Sequence, residues 1–282
     1  MAHDTGQQAP GLRLLGTFRL EVADGVLGVE TAGQRLLAFL GLHGCVSRSV
    51  LAGTLWPDAS EQHAQGSLRT ALWRLRRGRQ PVVESRGEML VLCEDAAVDV
   101  NGLVRTARHL VNDEADPREE PGLSLLFAGD LLPGWDEEWV VFERERLRQL
   151  RLHALESLSS RLVRHGRYAL ALDAALTCVS VEPLRESSHR AVVMVHMAEH
   201  NTVEAVRQYQ AFRRLARAEL GIDPSPGFTA MLPPGMANAP VAQRGATAPV
   251  TRPTSALATA THGFPRTARA TGRPSTSETL PQ

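Results

Sequence analysis

The sequence predicts a mainly α fold with a small β component: a mixed N-terminal part of strands and helices, followed by a longer all-α part. Three observations carry this prediction. Short apolar runs rich in strand formers open the chain, broken by a turn signal at Asp24-Gly25. Three helical periodicities with cap and stop residues come next, and then two apolar runs around Arg86-Gly87. From Asn101 to about Leu232 the apolar spacing is helical throughout, with an internal interval of 34 residues.

Leu12 to Gly16, Phe18 to Val22 and Val26 to Val29 read as a small antiparallel sheet. Gln34 to Leu42, with Leu36, Leu37, Leu40 and Leu42, reads as a helix ended by Gly44. Ser47 caps a second helix carrying Val50, Leu51 and Leu55, and Pro57 stops it. Ser60 caps a third, running to about Arg77 with Gly78 as its stop. Strands near Pro81–Ser85 and Met89–Cys93 form a hairpin, and a last short strand lies near Ala97–Val100. Sheet, three helices, hairpin is the order of a winged helix-turn-helix of the response-regulator type, whose second motif helix enters the DNA major groove.

Glu138 to His165 is predicted as one long helix broken by Gly166. Helices follow at Tyr168–Ser180, Leu184–Glu199 and from Asn201 to about Leu220, the last opened by an Asn201-x-x-Glu204 capping box and stopped by Gly221. Ala171-Leu172 recurs as Ala205-Val206, and Gly166 as His200, both at the 34-residue tetratricopeptide period. Residues 233–282, with eight prolines, five arginines and one acid, read as a disordered tail. The expected division is thus 12–100 winged helix, 101–232 tetratricopeptide-like helical domain, and 233–282 tail.

All 31 basic residues are arginine, balanced by 31 acids. Without lysine there is no Walker-A phosphate loop, no kinase strand lysine and no pyridoxal Schiff base. The zero total hides polarity: residues 60–86 carry six arginines against two acids, residues 112–147 three against eleven. Met1 to Gly11 has no apolar core, no run is long enough to span a membrane, and three scattered cysteines form no zinc or disulfide pattern. The expectation is a soluble cytoplasmic, nucleoid-associated protein with no membrane partner, and no cofactor is called for.

These features resemble the SARP-type bacterial regulators, which join a winged helix to a bacterial transcriptional activator domain. The matching residues are Leu15-Gly16, Gln34-Arg35-x-Leu37-Ala38-x-Leu40, Leu55-Trp56 and Leu68-Arg69-x-x-Leu72-x-x-Leu75-Arg76-Arg77. Further along stand Gly129-Asp130-Leu131-Leu132-Pro133-Gly134, Pro183-Leu184-Arg185-Glu186, Glu204-Ala205-x-x-x-x-Tyr209 and Glu219-Leu220-Gly221-x-Asp223-Pro224-Ser225-Pro226. Two departures stand out: Gly87-Glu88 where the family wing carries Gly-Tyr, and His200 where a glycine separates the last repeat helices. The resemblance implies a transcriptional activator that binds promoter direct repeats in double-stranded DNA, as a homodimer, and recruits RNA polymerase to pathway genes, secondary-metabolite genes among them.

In the third helix Leu68, Leu72 and Leu75 form the expected buried stripe, so Gln62, His63, Gly66, Thr70, Trp73 and Arg77 face outward with Arg69 and Arg74 on the flanks. Arginine pairs bidentately with guanine or phosphate, glutamine reads adenine, and threonine touches a thymine methyl. Arg48 in the preceding helix and Arg86 in the wing are the expected phosphate contacts. Trp73 has two readings, one on the DNA and one against the wing. The alternative for the whole chain is a tetratricopeptide-like interaction adaptor whose winged helix no longer reads DNA. His196-x-x-Glu199-His200 spells an inverzincin pattern, but it falls at a helix end with no further carboxylate ligand signalled, and no nucleophile context supports an enzyme.

Overall fold

The computed structural model describes residues 9–76, 82–112 and 122–238. Arg77, the Gly78 stop, the acidic stretch from Asp113 to Glu120 and the chain beyond 238 lie outside these residues. Strands β1 (Gly11–Arg13), β2 (Arg19–Val22) and β3 (Gly25–Leu27) form an antiparallel meander, with Leu12 opposite Leu20 and Leu20 opposite Leu27. Helix α1 (Thr31–His43) packs on it, and Gly41 permits the approach: a Cβ there would lie 2.9 Å from the Leu12 side chain. Gly44, at φ 73°, ends the helix as expected.

The pair Val46–Ser47 (β4) leads into α2 (Arg48–Leu55), where the Ser47 hydroxyl accepts the Val50 amide. Helix α3 covers Glu61–Arg76. Here the Ser60 hydroxyl lies 2.7 Å from His63 Nδ1, and the Ser60 carbonyl accepts the Ala64 amide, so its side chain meets an imidazole rather than the predicted backbone partner. The wing is β5 (Val83–Arg86) and β6 (Met89–Leu92), joined by Gly87-Glu88 with Gly87 at φ 63°. In its turn the Glu88 carbonyl accepts the Arg48 amide and ties the wing to the start of α2.

The predicted last strand is shorter than expected, Ala97–Val98 (β7), and pairs parallel to β1, so the first sheet is mixed, in the order β3-β2-β1-β7. Asp99 explains both facts: it opens helix α4 (Asp99–Val111) and its carboxylate accepts the amides of Leu14, Leu15 and Val100. Burial is the largest influence on this carboxyl and pushes its pKa up, against the three amides that lower it.

The helical part comprises α4, a 3-10 turn at Leu123–Phe127, α5 (Glu138–Arg164), α6 (Tyr168–Val181), α7 (Glu186–Ala198), α8 (Thr202–Leu220) and a short α9 (Pro226–Thr229). The 34-residue interval is structural. Gly166 and His200 both take left-handed backbone, at φ 68° and 62°. In both turns the next residue closes the same bond: Arg167 donates to the Leu162 carbonyl and Asn201 to that of His196. Ala171 and Ala205, each the fourth residue of its helix, are wholly buried and let the paired helices approach. The predicted capping box does not form: Asn201 makes no side-chain cap on α8, and its backbone amide donates to the His196 carbonyl. Residues 233–238 carry a 3-10 turn at Met236–Asn238 beside α8.

One apolar core runs from Leu12 of β1 to Val195 of α7, across the seam between winged helix and helical part. The segment Gly129-Asp130-Leu131-Leu132 forms that seam. Gly16 donates to the Asp130 carbonyl, Leu132 donates to that of Leu14, and Leu15 and Leu131 form a bridge. Arg144 of α5 binds the segment from behind, donating to the carbonyls of Leu131, Leu132 and Trp135 at 2.7, 2.6 and 2.8 Å. Arg35 of α1 meets Glu137 at 2.8 Å, and the Phe39 and Trp139 rings meet edge to face. Glu137, at the start of α5, thus ties the helical part to the winged helix.

Candidate nucleic-acid interface

Helix α3 buries Ala64, Leu68, Ala71 and Leu72. Leu75, expected on the same stripe, is only half-buried, because it sits at the edge of α3 against the start of α1, close to Gly33. The opposite face is outward as predicted. Gln62, His63, Arg69, Thr70, Trp73 and Arg74 are all exposed, over three helical turns, with Gly66 half-buried among them. Trp73 is 55% exposed.

Hydrogen bonds set what these side chains can offer. The Thr70 hydroxyl donates to the Gly66 carbonyl at 3.0 Å, which leaves its methyl as the free group. His63 Nδ1 is engaged by Ser60, which leaves Nε2. Arg74 pairs with Glu30, the residue that precedes α1. The sequence pattern of α3 shows no acid after Glu61, yet the fold supplies one from another element.

The wing end holds a second basic group. Arg48 of α2 and Arg76 of α3 both donate to the Ser85 hydroxyl of β5, each at 3.0 Å. One serine therefore gathers the start of α2, the end of α3 and the wing. Arg86, the next residue on that strand, meets Glu84 at 3.3 Å. Arg76 was absent from the set expected on DNA. The signal that could have found it is position: it ends α3 beside the hairpin, within reach of β5.

The H-x-x-E-H stretch has the wrong geometry for a two-histidine site. Helix α7 ends at Ala198, and His200 lies beyond it in the left-handed turn, so the two imidazoles do not share a helical face. Among the described residues no cluster of three or more His, Cys, Asp or Glu is placed to hold a metal, and no helix is long and apolar enough to cross a membrane.

A helix-turn-helix with a two-stranded wing, joined through a shared core to paired helices, defines a winged helix with a tetratricopeptide-like domain. Known proteins agree. Residues 103–232 match the bacterial transcriptional activator domain family. The regulatory protein AfsR of Streptomyces coelicolor is 29% identical over 188 residues, 63% of this chain and 19% of the relative. AfsR of Streptomyces griseus is 26% identical over 191 residues, 64% of this chain and 20% of the relative. The chain therefore spans about a fifth of the length of the curated relatives it matches. The solved structure of Mycobacterium tuberculosis EmbR in complex with a low affinity phosphopeptide superposes with a TM-score of 0.64, at 19% identity, over 79% of this chain and 64% of that one, and so shares the fold. Residues 103–232 thus match a bacterial transcriptional activator domain, and over more than half its length the chain is similar to bacterial regulatory proteins.

Proposed function

We propose that this regulator binds double-stranded DNA through α3 and the wing, and activates transcription from promoters carrying direct repeats. Gln62, His63, Arg69, Thr70, Trp73, Arg74 and Arg77 form the base-reading set, and Arg48, Arg76 and Arg86 hold phosphates beside it. The observation that carries the proposal is the exposed face of α3, polar and cationic over three turns, set in a helix-turn-helix whose far end gathers Arg48 and Arg76 on Ser85. Arginine donates in a planar fork that matches guanine edges and phosphate oxygens. Because every basic residue in the chain is arginine, that match follows from composition and does not add weight by itself.

The helical domain, with its continuous core into the winged helix, holds protomers on successive repeats and recruits RNA polymerase. A mobility-shift assay tests the DNA half. Arg69→Ala, Arg74→Ala and Arg77→Ala should each weaken specific binding about five-fold or more, since one bidentate contact is worth about 1–3 kcal/mol. Their helical circular dichroism should be unchanged. If affinity is unchanged in all three, α3 does not face DNA and the interaction-adaptor reading takes its place.

A further inference from the structure

A cleft of about 810 Å³ runs along α3, its other wall formed by the connection from β3 into α1. We propose that this cleft binds a small amphipathic anion, an apolar body bearing one carboxylate, sulfonate or phosphate, and that its occupancy excludes DNA from the same face of α3. The exclusion rests on the DNA reading above; the ligand site stands without it.

The volume falls in the range of small-molecule sites, about 300–1,000 Å³. The floor is apolar: Leu27, Val29, Ala32, Trp56 and Leu75 line it, all half-buried. A DNA phosphate or base edge gains little from such a floor, whereas an apolar ligand body gains by leaving water. The polar groups stand on the rim. Glu30 already meets Arg74, while Arg69 has no partner among the described residues, so the cleft keeps one uncompensated cation. Gln62 adds an amide beside it.

Gly66 fits the same picture. It stands inside α3, where glycine costs about 1 kcal/mol relative to alanine. Close helix packing does not explain it: the nearest atom to an added Cβ would be the Arg69 guanidinium, at 3.8 Å. What the missing side chain does is keep the cleft wall open.

The test uses the full chain and 1-anilinonaphthalene-8-sulfonate, a naphthyl body with one sulfonate. The expected result is saturable binding of one molecule per chain, with energy transfer from the tryptophans that is weakened in Trp56→Phe. Gly66→Leu, which plugs the wall, and Arg69→Ala, which removes the cation from an exposed position, should each weaken binding at least ten-fold. Circular dichroism confirms that both are folded, and Arg69→Ala alone suffices should the leucine disturb α3. A promoter duplex bound by the protein should displace the dye. Absent or multiple weak binding, or binding indifferent to Arg69→Ala and to Trp56→Phe, overturns the site. Dye and duplex bound together overturn the exclusion. A chain that binds the dye in the cleft but binds no DNA supports the site and refutes the DNA reading instead.

Discussion

Arg144 gives the most stringent test of how the two halves are joined. Its guanidinium donates to three carbonyls of the seam, and two of them belong to Leu131 and Leu132, which are 1% and 0% exposed. Leu132 is also held at φ 41°, a conformation that non-glycine residues seldom adopt. Arg144→Met keeps the aliphatic stem and removes every donor. The Leu132 carbonyl still accepts the Trp135 amide, so the substitution leaves the buried Leu131 carbonyl unpaired, at about 1–3 kcal/mol. With a urea m value of about 3 kcal/mol per molar, the midpoint should fall by about 0.3–1 M. Arg144→Lys, a point charge without the fork, should recover only part of the loss. Equilibrium urea unfolding followed by circular dichroism measures the shift. A midpoint within about 0.1 M of the parent would show that water or a local rearrangement satisfies the Leu131 carbonyl and that the seam does not depend on Arg144.

Other consequences concern separate parts of the molecule. His200→Gly removes an L-residue from a left-handed turn, which should stabilise the chain by about 0.5–1 kcal/mol after the extra freedom of the unfolded glycine is counted, and raise Tm by about 1–4 °C; a lower Tm would contradict this. His189 is buried, with Nε2 donating to the Pro183 carbonyl and Nδ1 accepting from Gln208, and burial holds its pKa below the usual histidine value. The unfolded chain therefore binds the proton more readily, and this contribution to stability is complete above about pH 6.5 and is lost as pH falls below it. Urea midpoints from pH 8 to pH 5 should fall, less so in His189→Gln, and an equal fall in both would remove His189 as a cause. Glu30→Gln releases Arg74 from an exposed ion pair and should raise DNA affinity about two- to five-fold in a mobility shift; weaker binding would mean that Glu30 positions Arg74 rather than occupying it.

Much of the fold was legible because its punctuation is local. Gly44, Ser47, Gly166 and Gly221 act within one turn of their own position, and each ends or caps the element it was expected to. The 34-residue interval was legible for the same reason, since a left-handed turn and a small buried residue recur at fixed offsets. What escaped were bonds between distant segments. Asp99 reaches back 85 residues to Leu14, and nothing near it announces a parallel fourth strand. Asn201 had a capping partner at the right spacing, yet its backbone amide goes to the His196 carbonyl. At the interface, helical period alone placed the exposed face of α3. The Arg74–Glu30 pair, the Ser85 hub and the role of Arg76 depend on the β3–α1 connection and the wing folding against that helix.

Nuclease footprinting of the purified chain on the DNA upstream of its own gene tests the central claim most directly. Protection confined to direct repeats, lost in Arg69→Ala and Arg74→Ala at concentrations where the parent saturates, is the predicted result. Uniform or absent protection, or protection that survives both substitutions, would contradict it.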